Sequence, residues 1–378
     1  MTYQISAIQT SPPKSSDTEY RYLSPFTRQT LPDAADLANF QPRVEQQGQI
    51  GTCLSNALTS GGELLTKRGG RDLEFSRLFI NFNTLVAENR LGEQGVYTRD
   101  ILDSARKQGI CLEATHPYIE DRQFTKPSEP AYVEALNWKL DRYEWIAGMS
   151  FSGQEPEEIE FNIMSANAEG CPVLIATPVG QMIYTLAGPW ETQYYPRVGT
   201  PGNAQIGLHG MLMEGYKRQI RRGKLLNSWS KEWGDNGILG LGYEHFTYAY
   251  FEAVALRGFA GFGVTEAQGI KLENLSRFRL DCRIVPFGRE VGTMANIWIG
   301  AVIQDVLYLK QGGTWSPVAG GYQHDATIKL AESNYVSIVL NTDLTPFAGA
   351  RVYVAYGQDV TCFNDPAHLK ELCVIPQF

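Results

Sequence analysis

One cysteine in this sequence is set up to do chemistry. It closes the stretch Gln47-Gly48-Gln49-Ile50-Gly51-Thr52-Cys53. Gly48 and Gly51 permit backbone conformations that a Cβ would obstruct, so the stretch reads as a sharp loop that delivers Cys53 to a helix. From 53 to 67 the pattern turns helical, with Leu54, Ala57, Leu58, Leu64 and Leu65 roughly on one face. A thiol at a helix start feels the positive end of the helix dipole, which favours its thiolate. Gln47 carries an amide that could point at the same spot. A nucleophile beside a neutral donor is what acyl transfer requires. The same residues also allow a plainer reading, a free cysteine buried as a small hydrophobe.

Two further stretches lie far downstream. His209 sits in Ile206-Gly207-Leu208-His209-Gly210-Met211-Leu212-Met213, and Asn227 in Leu226-Asn227-Ser228-Trp229-Ser230-Lys231-Glu232-Trp233-Gly234-Asp235-Asn236-Gly237. Cysteine, histidine and asparagine in that order, in these surroundings, resemble the papain-like cysteine peptidases. The second block is similar to that family's Asn-Ser-Trp-Gly-x-x-Trp-Gly-x-x-Gly signature, with Ser230 in place of the first Gly. The upstream block is similar to its Gln-Gly-x-x-Gly-x-Cys signature. The wording of 47–53, followed by Ser76-Arg77-Leu78-Phe79-Ile80, resembles a bacterial and phage branch. The likeness spans roughly Leu31 to Phe251.

The resemblance implies a mechanism. Cys53 would attack as thiolate, His209 would carry the proton, and Asn227 would orient the ring. Gln47 and the Cys53 backbone N–H would bind the oxyanion. Trp229 would cover the Asn–His contact, with Gly51 and Gly210 as supporting positions. The substrate would be a polypeptide, with no metal and no cofactor. The chain departs from the family pattern at Leu54, where an aromatic is usual, at Gly210, where Ala is common, and at Ser230. None of these removes a reacting group.

Composition bounds the rest. The chain has 378 residues, enough for two domains, with 43% hydrophobic and 20% charged residues. A net charge of −8 argues against nucleic acid or an anionic membrane as partner. The basic run from Lys217 to Lys224 lies between apolar strands and reads as a solvated hairpin turn. The six cysteines match neither a zinc site nor a small disulfide scaffold, though Cys362 and Cys373 could pair. Ile50 stands where secreted relatives commonly carry a disulfide cysteine. No apolar run approaches the ~20 residues of a membrane span, and the N-terminus lacks a signal-peptide pattern. Synthesis in a cytoplasm is expected, with incorporation in a virion or other exported assembly left open.

The elements that must position these residues follow in order. Residues 1–30 form a polar extended arm, expected to be held by a protein partner. Helices are expected from 53 to 67, from Phe75 to Glu88 with Ser76 as N-cap, from Thr98 to Gln108 and from about 153 to Gly170. Gly61 and Gly62 disfavour the first helix unless another backbone packs there. Strands are expected over 138–149 and 172–178. The aromatic and proline-rich segment 179–207 reads as one wall of a cleft or as a structural flap. His116 and the His324-Asp325 pair are more readily structural than catalytic. After a glycine-rich linker, seven short strands between Phe278 and Ile375 suggest an antiparallel sandwich. The expected class is therefore α+β: a two-lobed papain-like peptidase domain over 31–262 and a β-sandwich over 270–378, the latter a packing or recognition module. The competing reading is a structural component of a larger assembly, such as a phage tail, with little or no catalysis.

Overall fold

The computed structural model describes residues 5, 10–14, 17, 21–24, 26–68, 71–151, 153–248, 251–259, 261–262, 278–286, 290–318, 320–331, 334–342, 347–364 and 368–375. The chain divides into two compact units, Met1–Arg68 with Asp72–Arg257, and Gly69–Arg71 with Gly258–Phe378.

In the first unit, strand β1 (Ala34–Asp36) is followed by helices α1 (Cys53–Arg68), α2 (Arg77–Ala87), α3 (Thr98–Lys107) and α4 (Glu129–Ala135). Strand β2 (Leu140–Ala147), helix α5 (Pro156–Ala168) and strands β3 (Val173–Gly180), β4 (Gln205–Lys217), β5 (Arg222–Leu226), β6 (Ile238–Gly242) and β7 (Glu252–Phe259) complete it. The strands form one sheet in the order β2-β7-β3-β4-β5-β6, with β1 on β4. Local chemistry sets the helix ends. The Ser76 hydroxyl accepts from the Phe79 N–H at 3.2 Å, capping α2. Asp100 lies in the first turn of α3 and Arg106 and Lys107 in its last, each matched to the helix dipole. Gly109 then turns with φ +78°, and α5 opens with Pro156.

Helix α1 packs on β3, β4, α2 and α3, and nearly all its side chains are buried. The two glycines expected to weaken it are explained in part. A Cβ on Gly61 would run into the side chains of Leu256 and Leu212, so the close partner is side chain rather than backbone. The basic run does form a hairpin turn between β4 and β5, and Lys217, Arg218, Arg221 and Lys224 each meet a carboxylate. Lys217 meets Glu191 at 2.9 Å and Arg221 meets Glu160 at 2.9 Å. Lys224, 7% exposed, sits 3.0 Å from both Asp36 and Glu214.

The described residues of the N-terminal arm are fastened to their own chain. Ser11, Asp17 and Tyr22 are buried. The Asp17 carboxylate accepts from Arg99 Nε at 2.9 Å, and the Tyr22 N–H donates to the Trp145 carbonyl at 2.8 Å. These buried polar residues of the arm find partners on α3 and β2.

The second unit is antiparallel throughout its described ladders. Strands β8 (Gly261–Phe262), β9 (Phe278–Val285) and β14 (Asn334–Thr342) form a three-stranded sheet. Strands β10 (Met294–Ile303), β11 (Val306–Gln311), β12 (Thr314–Pro317), β13 (Ala326–Lys329), β15 (Arg351–Gly357) and β16 (Leu369–Val374) form a six-stranded one. Cys282, Ile284 and Ile338 of the smaller sheet share one core with Ile297, Ile299, Val352 and Val354 of the larger. All seven expected strands are present, and β8 and β12 are additional. Phe259, Gly261 and Phe262 are strand where linker was expected, while 263–269 and the Cys373 side chain lie outside the described residues.

Candidate active site

The loop before Cys53 takes the expected bends. Gly48 has φ +65°, and a Cβ there would collide with the Glu120 carboxylate. That carboxylate accepts from the Gln49 N–H at 2.8 Å. Gly51 has no left-handed backbone, but a Cβ would lie 2.9 Å from the Gly95 nitrogen. Its N–H donates to Gln94 Oε1 at 2.6 Å. The Tyr118 hydroxyl bridges the loop, 2.8 Å from the Gln47 carbonyl and 2.6 Å from Thr52 Oγ1. Helix α1 then begins at Cys53 itself.

His209 lies on β4, opposite Thr177 of β3, and Asn227 follows the end of β5. His209 Nε2 is 2.7 Å from Asn227 Oδ1, and the Ser228 N–H donates to the same oxygen at 2.8 Å. A backbone N–H can only donate, so the Asn227 oxygen, not its nitrogen, faces this point. The His209 bond is then Nε2–H donating, which leaves the lone pair on Nδ1. Among the described residues Nδ1 has no hydrogen-bond partner. The Gly210 N–H, one residue along β4, donates to Cys53 Sγ at 3.3 Å. This bond ties the thiol to the strand that carries the imidazole.

Gln47 is tied to the asparagine segment. Its N–H donates to the Ser228 carbonyl at 2.9 Å, and its Oε1 accepts from Ser228 Oγ at 2.7 Å. With Oε1 so occupied, the amide turns its nitrogen toward the loop, where Nε2 donates to the Ile50 carbonyl at 3.2 Å. Cys53, His209 and Gln47 are each 0% exposed, and Asn227 is 2% exposed. Burial pushes the His209 imidazole down to about 4, opposed by the Asn227 bond. Burial also pushes the Cys111 thiol up to about 12 and raises Cys171.

A search of solved structures finds xylellain, a cysteine protease from Xylella fastidiosa, with TM-score 0.55 and 22% identity over 68% of this chain and 98% of that one. The fold is papain-like. Procathepsin L 3 of Tenebrio molitor larval midgut follows at TM-score 0.47, 19% identity and coverage of 62% and 72%. The proform of the ragweed pollen allergen Amb a 11 has TM-score 0.42, 22% identity and coverage of 59% and 64%. No family model matches the chain, and no curated protein matches it.

An aromatic cluster packs beside His209. Trp229 is fully buried, its ring 4.9 Å from His209 and inclined by 40°. Trp233 meets it edge-on at 5.3 Å. Tyr184 stacks on it at 5.6 Å and 11°, from a short turn inside the segment read as a wall or flap. Sequence reasoning did not single out Tyr184 or the Ser228–Gln47 bond. The aromatic density of 179–207 was the available signal for the first. His116 is not part of the cluster. Its carbonyl accepts from Ser76 Oγ at 2.6 Å, and burial lowers its pKa. His324 packs edge-on against Trp298 in the second unit.

The departures at Leu54 and Gly210 are partners. A Cβ on Gly210 would lie 2.8 Å from Leu54 Cδ2 and 3.1 Å from its Cα. Ser230 takes the left-handed conformation, φ +67°, that a glycine would hold more easily. Among the described residues no three His, Cys, Asp or Glu side chains gather as a metal site.

Proposed function

We propose that the chain is a cysteine peptidase in which Cys53 attacks, His209 moves the proton and Asn227 orients the ring. The observation that carries this is the pair of contacts at His209: Nε2 on Asn227 Oδ1 at 2.7 Å, and the next residue's N–H on Cys53 Sγ at 3.3 Å. The first makes Nδ1 the basic nitrogen of the ring. The second holds the sulfur against the histidine strand. Transfer of the thiol proton to Nδ1 gives thiolate and imidazolium, each stabilising the other.

The thiolate attacks the substrate carbonyl carbon and the C–S bond forms. Gln47 and the Cys53 N–H stabilise the oxyanion. The C–N bond then breaks as His209 gives its proton to the leaving amine. In the second half His209 takes a proton from water, the hydroxyl attacks the thioester, the C–S bond breaks and the proton returns to sulfur. The substrate is a polypeptide. The first unit carries this chemistry, and the sandwich unit supplies recognition or assembly contacts.

The test is incubation with an irreversible epoxide inhibitor of thiol proteases, followed by intact mass and cleavage of a fluorogenic peptide. One adduct, absent in Cys53→Ala, together with peptide turnover supports the proposal. A second reading, an assembly component with little catalysis, is favoured by the full burial of Cys53 and His209. It predicts neither adduct nor turnover. No helix among the described residues is long and apolar enough to cross a membrane.

A further inference from the structure

Resting on the peptidase reading, we infer that Tyr118 is a positioning residue that sets the separation of Gln47 from Cys53 by tying together the two ends of the loop between them. Residues 48–52 join Gln47, whose N–H is bonded to the Ser228 carbonyl, to Cys53, the first residue of α1. One phenolic oxygen spans this loop. Tyr118 Oη lies 2.8 Å from the Gln47 carbonyl oxygen and 2.6 Å from Thr52 Oγ1.

The donor directions follow from what each atom can do. A carbonyl only accepts, so the single phenolic hydrogen goes to Gln47. Tyr118 Oη then accepts from the Thr52 hydroxyl. Thr52 Oγ1 accepts in turn from Asn56 Nδ2 at 3.2 Å, and the same nitrogen donates to the Thr52 carbonyl at 2.9 Å. The bonds run one way, from Asn56 through Thr52 and Tyr118 to the Gln47 carbonyl. They start on the first turn of α1 and end on the residue that carries the proposed oxyanion amide. Thr52 and Asn56 are each 1% exposed, so water is a poor substitute for a lost member.

The phenol is braced from its other side. The Arg77 guanidinium stands 4.3 Å from the ring centroid. Arg77 is itself buried between Glu45 and Glu113, the second at 3.1 Å. Glu113 also accepts from the Tyr118 N–H, and the Glu45 carbonyl accepts from the Ser230 N–H. Tyr118 is thus fixed to the same strand segment that holds Gln47. Without its hydroxyl, Gln47 and Thr52 lose their common partner, and a loop bent at Gly48 can change length between them. An oxyanion needs Gln47 and the Cys53 N–H together, so a small change in their separation weakens one of the two bonds. The thiol is also held by the Gly210 N–H, so its own reactivity should change least.

The experiment uses the full chain as wild type, Tyr118→Phe, Thr52→Val, the double variant and Tyr132→Phe. Tyr132 is the control, since its hydroxyl donates to Asn83 Oδ1 on α2 at 2.9 Å. Peptide turnover gives kcat and KM. A peptide aldehyde forms a hemithioacetal whose oxygen takes the oxyanion position, whereas iodoacetamide alkylates the thiol without forming one. Amide hydrogen exchange reads residues 48–52 directly. Tyr118→Phe should lower kcat and aldehyde affinity by about tenfold, less than the roughly 10²–10³ of deleting a donor. KM, the alkylation rate and the urea midpoint should stay near wild type, and exchange over 48–52 should quicken. Thr52→Val should move the same quantities in the same direction. The double variant should lose no more than Tyr118→Phe, because both changes open one bridge. Tyr132→Phe should match wild type.

An unchanged kcat with unchanged exchange in Tyr118→Phe overturns the inference. So does an alkylation rate that falls as far as kcat, which would place the effect on the thiol, and so do additive losses in the double variant. Thr52→Val answers the question if Tyr118→Phe does not fold. A wild type that neither turns over peptide nor binds aldehyde defeats the peptidase reading, and exchange over 48–52 then decides separately whether Tyr118 ties the loop.

Discussion

Gly210→Ala tests whether the helix that carries the thiol and the strand that carries the imidazole are in direct contact. The new Cβ would stand 2.8 Å from Leu54 Cδ2, 3.0 Å from Cγ and 3.1 Å from Cα. Rotating the Leu54 side chain relieves the first two contacts but not the third. Leu54 is also 1% exposed and has nowhere to go. So α1 and β4 must separate by a few tenths of an ångström. Overpacking of this kind costs about 1–3 kcal/mol. Gly210 is outside the left-handed region, so Ala is allowed there and narrows the unfolded ensemble, returning about 0.4–1 kcal/mol. The net expectation is a loss of about 0.5–2 kcal/mol.

Urea unfolding followed by tryptophan fluorescence reads this as a lower midpoint with an unchanged slope. The decisive measurement is the cycle with Leu54→Ala. That variant alone leaves a cavity and costs about 2–5 kcal/mol. With Cγ and Cδ2 gone, two of the three nearest contacts of the methyl introduced by Gly210→Ala disappear, so its cost should shrink by about 1 kcal/mol or more. Additivity within about 0.3–0.5 kcal/mol, or a Gly210→Ala midpoint at or above wild type, would refute the contact.

Four further outcomes are expected. Gln47→Ala should lower kcat by roughly 10²–10³, as for one oxyanion donor, while Cys53→Ala abolishes turnover; an unchanged kcat in Gln47→Ala removes the oxyanion role. Ser230→Gly should stabilise by about 0.5–1 kcal/mol, since relief of about 1–2 kcal/mol of left-handed strain exceeds the entropy glycine adds; a lower urea midpoint would contradict this. The His209 pKa is depressed in the folded chain, from 6.5 to about 4, so its contribution is full above pH 6.5 and is lost as pH falls toward 4, about 3 kcal/mol in all. Because Glu63 is raised to about 8 and loses its contribution in the opposite direction, the measurement is the stability difference between wild type and His209→Asn across that window, and a flat difference refutes it. Residues 1–259 alone should keep Cys53 reactivity, and 260–378 should fold as β structure by circular dichroism; a folded but unreactive N-terminal piece would mean that the sandwich helps to build the site.

The local elements around the candidate site were more legible in the sequence than their surroundings, for physical reasons. Gly48, Gly51 and Cys53 are legible because loop bends and a helix start have local codes. Helices α2 and α3 are legible through Ser76 and Gly109. The short β1, α4 and β12 were missed because three to seven residues hold too little periodicity. The anchoring of the arm through Asp17 and Tyr22 was not legible. Their partners, Arg99 and Trp145, are distant in sequence. Tyr184 and Ser228 act through contacts across the fold. Neither contact has a spacing to read.

The geometry also explains why so few residues can be decisive. Residues 45–47 pair with 228–230: Gln47 N–H meets the Ser228 carbonyl, Gln46 bridges Trp229, and the Ser230 N–H meets the Glu45 carbonyl. The Gln47 amide and the Asn227 amide, which the proposed mechanism assigns to the oxyanion and to the ring, therefore lie at one short ladder. The thiol rides on α1, joined to that ladder through 48–52 and to the histidine strand at Leu54–Gly210. Five residues must close the gap between two fixed pieces, and two of them are glycines with side chain or backbone packed where a Cβ would go. A change at Gly48 or Gly51 then displaces Cys53 relative to Gln47 while both pieces keep their own hydrogen bonds. Such a variant should lose rate far out of proportion to stability, since an error near 1 Å between reacting groups costs about 10²-fold. Equal proportional losses in both would mean that the ladder and the helix are not separate pieces.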